Sequence, residues 1–166
     1  VWTGSHMIVW GGRDPAALGD GASYDPETDS WTAVSTAMAP SPRSQHSAVW
    51  TGSEMIVWGG FSDDFESSGG IYDPASDSWR PMSTAGAPPG RTHHSAVWTG
   101  SEMLVFGGFD GLGAYGDGAR YDPVADSWTT ITTSQAPFRR MRHSAAWTGE
   151  RMLIWGGTDT LDWLGN

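Results

Sequence analysis

Three times along the chain an arginine precedes a histidine by three positions and a serine by four: Arg43-x-x-His46-Ser47, Arg91-x-x-His94-Ser95 and Arg140-x-x-His143-Ser144. Serine beside histidine could support acyl transfer, with the ring taking the hydroxyl proton, and arginine can hold a carboxylate or phosphate through forked hydrogen bonds. An enzyme, however, needs a local constellation that departs from its surroundings, and this one recurs. Recurrence suits architecture. His46, His94 and His143 are expected to hydrogen-bond between repeats. Two readings stand for Arg43, Arg91 and Arg140: cations around one mouth that hold an anion, or packing groups bonded to loop carbonyls or an acidic neighbour.

Residues that differ between copies lie close by. Gln45, His93 and Arg142 share one equivalent position, and Ser44, Thr92 and Met141 share another. Arg139-Arg140-x-Arg142 is the one basic cluster, and Asp63-Asp64-x-Glu66 is an acidic patch suited to a basic partner or to Arg139 and Arg142 of a second copy. That patch lacks the ordered ligand spacing of a strong calcium loop, and no metal site is assigned. Arg91, His93, Asp110 and Tyr115 could offer a carbohydrate an aromatic face and acid–base groups. The ligand-binding candidates are therefore Arg43, Arg91, His93, Asp110, Tyr115, Arg140 and Arg142, with Asp63, Asp64, Glu66 and Arg139 as interface candidates. No catalytic residue and no cofactor is expected.

The elements that must position these groups are short. The pair Gly11-Gly12 recurs as Gly59-Gly60, Gly107-Gly108 and Gly156-Gly157, at intervals of 48, 48 and 49 residues. Tyr24, Tyr72 and Tyr121 each open a Tyr-Asp-Pro triplet, and Trp31, Trp79 and Trp128 follow them by seven positions. Trp50, Trp98 and Trp147 close the segments 45–50, 93–98 and 142–147, which end in Thr-Gly, and the apolar runs 54–58, 102–106 and 151–155 end in the glycine pair. These lengths predict strands, with a third leading into each tyrosine and a fourth around each later tryptophan. Asp-Pro-x-x-Asp-Ser is a turn, since proline fixes φ and aspartate bonds nearby amides.

Antiparallel alternation puts the 1–2 and 3–4 turns on one face and the 2–3 and 4–1 loops on the other. The first face barely changes between copies. On the second, the 2–3 loops differ: 13–20, 61–66 and 109–115. Gly4-Ser5-His6-Met7 has the look of a cloning remnant, yet only His6 departs from the repeat, and it is given no role.

Composition narrows the partners. The 166 residues are 38% hydrophobic, enough for a packed interior, and 9 basic against 19 acidic residues give a formal charge of −10. Such a charge opposes a grip on nucleic acid or anionic lipid, so neither is an expected partner. With no cysteine, disulfides, thiolate metal sites and a thiol nucleophile are excluded, and the compartment is left open. No apolar run approaches the length of a spanning helix, and any signal peptide lies outside these residues.

On its diglycine, tyrosine and tryptophan landmarks the chain resembles the kelch repeat family across nearly its whole length. The resemblance implies an all-β kelch-type β-propeller, one blade per repeat, here about three and a half four-stranded blades in a single domain over 1–166. The units are approximately 1–35, 43–82, 91–131 and 140–166. It also implies several possible activities, since such propellers include protein-binding modules, carbohydrate-processing proteins and a copper oxidase domain. The last is disfavoured, because its cysteine-linked tyrosine cannot form. Gly11, Gly12, Gly59, Gly60, Gly107, Gly108, Gly156, Gly157 and the repeated tyrosines, tryptophans and histidines are read as structural. The expected function is non-catalytic binding of protein or peptide. The alternatives are a self-assembling fragment, natural or engineered, and a glycan-binding or carbohydrate-active propeller. Unpaired sheet edges make another copy, or a larger ring, the expected route to closure.

Overall fold

The computed structural model describes residues 1–159 and 164. The regular elements among them are strands in four antiparallel sheets. The first sheet holds β1 (Met7–Asp14), β2 (Ala16–Asp25) and β3 (Ser30–Ala33), and the second β4 (Ser47–Trp50), β5 (Met55–Trp58), β6 (Gly69–Asp73) and β7 (Ser78–Pro81). The third holds β8 (Ser95–Trp98), β9 (Met103–Phe106), β10 (Gly118–Asp122) and β11 (Ser127–Thr130), and the last β12 (Ser144–Trp147) and β13 (Met152–Trp155). Strands pair in chain order, so each sheet is a meander and the units form about three and a half blades. The Trp2–Met7 bridge marks the first-strand position of the first blade.

The innermost strands β4, β8 and β12 lie side by side, where only small residues such as Ser47, Ala48, Ser95 and Ala96 fit. Pleating sends alternate residues of each second strand to opposite faces, and both faces of an inner blade are covered. Ile8 and Trp10 pack on Met55, Val57, Tyr72 and Trp79 of the next sheet, and Ile56 and Trp58 pack on Met103, Val105, Tyr121 and Trp128 of the one after. At the centre of each interface two indoles meet at 5.3 Å, Trp10 with Trp79 and Trp58 with Trp128. This is why all of β5 is buried and its sequence reads as an unbroken apolar run.

The turn sequence behaves as its chemistry requires. Asp73 Oδ1 accepts the Ala75 amide at 2.8 Å, and Asp77 adopts φ 46° to close the turn. Asp77 Oδ1 then accepts the Tyr72 hydroxyl at 2.7 Å and the Ser35 amide of the preceding linker at 2.8 Å. Asp126 repeats both bonds with Tyr121 and Ser83. The aspartate that holds the repeated tyrosine therefore ties its hairpin to the neighbouring blade.

Backbone conformation and crowding both call for glycine at the pair. Gly59 has φ +74°, and a Cβ there would stand 2.7 Å from His94 Cε1; Gly60 has φ +97°, and a Cβ would stand 2.6 Å from the Ser44 carbonyl. Left-handed backbone coincides with close approach of the next blade at Gly59 and of the same blade's first strand at Gly60.

One expected loop proves to be strand. Arg13–Asp20 forms the end of a long hairpin, with Gly12 opposite Leu18, Arg13 opposite Ala17 and Asp14 opposite Ala16, after a register shift between Trp10 and Gly12. In the next two blades an aromatic follows the glycine pair and folds the loop back: Phe61 bridges Ser44 and Phe65, and Phe109 bridges Thr92 and Ala114. The first blade has Arg13 at that position, and its Nε donates to the Pro15 carbonyl at 2.9 Å.

Candidate functional site

The 4–1 linkers and 2–3 loops meet on one face. The backbone amide of Arg43 donates to the Leu18 carbonyl at 2.9 Å, that of Arg91 to Glu66 at 3.3 Å, and that of Arg140 to Tyr115 at 2.9 Å. Each arginine thus begins its blade against the variable loop of the blade before.

The guanidinium groups turn inward and do not stand around an open mouth. Arg43, Arg91 and Arg140 are 1%, 0% and 1% exposed. Arg43 donates to the carbonyls of Ser41 (2.9 Å), Gly59 (3.1 Å) and Ser68 (2.7 Å) and to the hydroxyls of Ser41 (2.7 Å) and Ser68 (3.0 Å). Arg91 donates to the Pro89 and Gly107 carbonyls, each at 3.0 Å, and to Asp117 at 2.8 Å, with Cζ 3.9 Å over the Tyr115 ring. Arg140 donates to the Phe138 and Gly156 carbonyls. A planar fork of five donors suits this convergence of carbonyls. Arg91 Nη2 is buried without a hydrogen-bond partner; for the bonded donors of these three arginines to hold an external anion, their bonds would have to break.

The histidines bridge blades. His94 Nε2 lies 2.8 Å from Ser47 Oγ and His143 Nε2 lies 2.7 Å from Ser95 Oγ, each serine on the preceding blade. Burial, then the charge of the arginine three residues earlier, pushes His46 and His143 down to about 4 and His94 down to about 3. Below pH 6.5 the unfolded chain takes up protons that the folded chain refuses, so stability falls with pH until the folded values are reached. Each histidine contributes at most about 1.4 kcal/mol per pH unit of that slope. Urea unfolding between pH 7 and pH 4 should show the decline, and His94→Gln should make it shallower; an unchanged slope would contradict a neutral, bridging ring.

Three further side chains of this face share one unusual backbone position. Gln45, His93 and Arg142, equivalent in three successive blades, have φ 58°, 54° and 56°. A left-handed non-glycine residue is uncommon, and such positions cluster at functional sites. Gln45 and Arg142 are exposed and His93 is half-buried. The Arg142 amide donates to the His93 carbonyl at 2.9 Å, joining two blades at this point. Burial, then the Arg142 charge, lowers the His93 pKa. The sequence had shown only that three unlike residues share the position. Its conformation was hidden, because none is the glycine or asparagine that usually signals a positive φ.

Residues 1–165 match the family profile described as the KLHDC2/KLHL20/DRC7 Kelch-repeats domain. The chain belongs to the kelch-repeat family. Among curated proteins no match is found.

In this kelch chain the remaining candidates occupy two loop systems. Asp110 accepts the Tyr115 hydroxyl at 2.8 Å and the amides of Leu112 (2.9 Å) and Gly113 (3.0 Å). Burial opposes ionisation of Asp110, but these bonds outweigh it and hold its carboxyl below the usual range. Burial first, then the bond to Asp110, raises Tyr115. Glu66 takes hydrogen bonds from Ser41 (3.0 Å), Ser62 (2.8 Å) and Ser68 (2.8 Å) and lies 3.7 Å from Arg43, so its carboxylate is committed within the loop system. Asp63, Asp64 and Arg139 are exposed. No three metal-ligating side chains gather among the described residues.

The kelch serine–histidine pairs have hydroxyl-to-ring distances a nucleophile would need, yet among the described residues no carboxylate is hydrogen-bonded to the second ring nitrogen of His94 or His143. With their pKa values far below neutrality, these rings are weak bases in a buried seam. No helix among the described residues is long and apolar enough to cross a membrane.

Proposed function

We propose that this kelch chain is a non-catalytic scaffold that binds a protein or peptide through the face formed by its 2–3 and 4–1 loops. The observation that carries the reading is the left-handed position repeated in three blades with Gln45, His93 and Arg142. The surrounding backbone is held constant by the buried arginines and the histidine–serine bridges, while the outward groups change from amide to imidazole to guanidinium. A rigid frame presenting unlike polar groups is the arrangement that recognition requires, and Arg142 gives it a preference for acidic side chains or carboxylates.

The glycan alternative built on Arg91, His93, Asp110 and Tyr115 has less support, because the Tyr115 ring face carries the Arg91 guanidinium and its hydroxyl is bonded to Asp110. A randomised displayed-peptide library provides the test. Selection on the wild-type chain should enrich acidic peptides, and Arg142→Glu should weaken the enriched peptides by roughly tenfold or more, an effect of about 1.4 kcal/mol or above, with the unfolding midpoint unchanged. Enriched peptides that bind the variant equally well, or no enrichment at all, would overturn the assignment.

A further inference from the structure

Two interfaces between consecutive blades follow one plan but are filled differently near the turn face, which lies opposite the 2–3 and 4–1 loops. Between the second and third sheets Ile71 and Met82 are buried, and Arg80 pairs with Glu54 of its own sheet at 3.1 Å. The Arg80 charge also reaches the third sheet. Burial, then the bond to Asp126, raises the Tyr121 hydroxyl, and Arg80 opposes that rise. A guanidinium supplied by the chain thus lies against the Tyr121–Asp126 pair, where its charge also favours the ionised carboxylate.

Between the first and second sheets the equivalent residues are smaller: Ser23 stands for Ile71, Thr32 for Arg80 and Val34 for Met82. A cleft of about 720 Å³ opens there, with both walls supplied by this chain. That volume suits a small ligand. Ile8, Val34 and Trp50 line its apolar part, and Asp25 and Asp77 its acidic part. Asp25 is fixed by the Glu27 amide and the Thr28 hydroxyl, each at 2.8 Å. Both bonds to Asp77, from Tyr72 and Ser35, end on Oδ1, and among the described residues none reaches Oδ2. His6 takes the position of Glu54, its Nε2 4.0 Å from Asp25 Oδ2. Burial, then the bond to Asp77, raises the Tyr72 hydroxyl as it does Tyr121, but here no cation among the described residues opposes the rise. No three metal-ligating side chains gather among those residues, so the cation that fits this cleft is organic.

We infer that this cleft binds an alkylguanidinium group, its stem on Ile8, Val34 and Trp50 and its charged fork at Asp77 and Asp25, in the place that Arg80 takes at the next interface. The chain itself shows the fit, because the same tyrosine–aspartate pair receives an arginine one blade further on. A planar fork of donors matches two carboxylates held in fixed positions, and the indole of Trp50 offers a face to a cation. The net charge of −10 favours such a ligand at long range. This site is separate from the proposed peptide-binding face.

Amide NMR shifts of the isotopically labelled chain, titrated with n-butylguanidinium at about pH 8 where a free imidazole is uncharged, test it. Shifts should move at Ser23, Thr32 and Asp77 and stay still at Gln45, His93 and Arg142. n-Butylurea has the same shape without the charge and should bind at least about tenfold more weakly, since hydrogen bonds to charged groups are the stronger ones. Thr32→Arg supplies the guanidinium from an exposed strand position and should weaken the titrant at least about tenfold, with the urea midpoint unchanged or raised. Asp77→Asn keeps an acceptor for Tyr72 and Ser35 while removing the charge, and should weaken it by a similar factor. An arginine-containing tripeptide that binds more tightly than n-butylguanidinium assigns the group to a peptide side chain, and one that binds more weakly assigns it to a free small molecule. A wild-type chain that shows no shifts around the cleft, equal affinity for n-butylurea, or undiminished binding by folded Thr32→Arg would each overturn the inference.

Discussion

Trp58→Ala is expected to lower the free energy of unfolding by about 3–5 kcal/mol, because a fully buried indole contributes transfer energy and leaves a cavity that its neighbours fill only partly. Trp58 is 0% exposed, meets Trp128 at 5.3 Å and His94 at 5.0 Å, and its Nε1 donates to the Ser67 carbonyl at 3.0 Å. The deletion therefore strips one half of an interblade interface and also orphans a loop carbonyl. For a domain whose total stability is about 5–15 kcal/mol, the loss is large enough to move the urea midpoint well down. Trp155→Ala removes the same side chain at the equivalent position of β13, where it is 66% exposed. Its effect on a dilute sample should stay within about 0.5–1 kcal/mol. Equal losses at the two positions would mean that stacking between blades does not supply the stability, and the fold argument would fail with it.

How far the residues announced this arrangement depends on which force decides each feature. Strand existence was legible because Met55–Trp58 and its relatives are short apolar runs with turn residues on either side, and local pattern alone defines them. The Asp-Pro-x-x-Asp-Ser turn was legible for the same reason. The hairpin over Arg13–Asp20 was not. Whether that segment closes as a loop or continues as strand depends on a single aromatic after the glycine pair packing across space, and the competition is settled by tertiary contact, not by propensity.

The arginines illustrate a different limit. Their recurrence pointed to architecture, but spacing cannot say whether a guanidinium points out to solvent or back toward strand-end carbonyls; the inward bonds favour packing, and the Arg91 variants decide whether a ligand is held as well. The proposed binding face lies between these cases. That Gln45, His93 and Arg142 are equivalent and unlike could be read directly, whereas their shared left-handed conformation arises from the chain turning sharply beneath the glycine pair of the same blade, where Gly60, Gly108 and Gly157 approach residues 44–46, 92–94 and 141–143.

Arg91→Ala should destabilise the chain by about 3–5 kcal/mol, comparable to the tryptophan deletion but by another route. Asp117 accounts for little of it. That carboxylate is 47% exposed, and an ion pair with such a partner is screened, so Asp117→Asn should cost under about 1 kcal/mol. The larger share comes from the Gly107 carbonyl, which receives Nη1 in a buried setting, and the part-buried Pro89 carbonyl, which receives Nε; the two lose their donors together. The stack on Tyr115, in the 2–3 loop of the same blade, goes as well. Arg91→Lys separates charge from geometry. An ammonium keeps the cation but cannot reach two carbonyls and a carboxylate in one plane, so it should recover only a minority of the loss. Denaturant titration of these three variants, beside Arg142→Ala as an exposed arginine whose loss should stay within about 0.5 kcal/mol, assigns the role. If Arg91→Ala keeps wild-type stability and instead loses peptide capture, the guanidinium acts outward on a ligand and the inward bonds are incidental. If stability collapses while Arg142→Ala alone weakens capture, the recurring arginines are the frame, and recognition belongs to the three unlike residues that the frame holds in place.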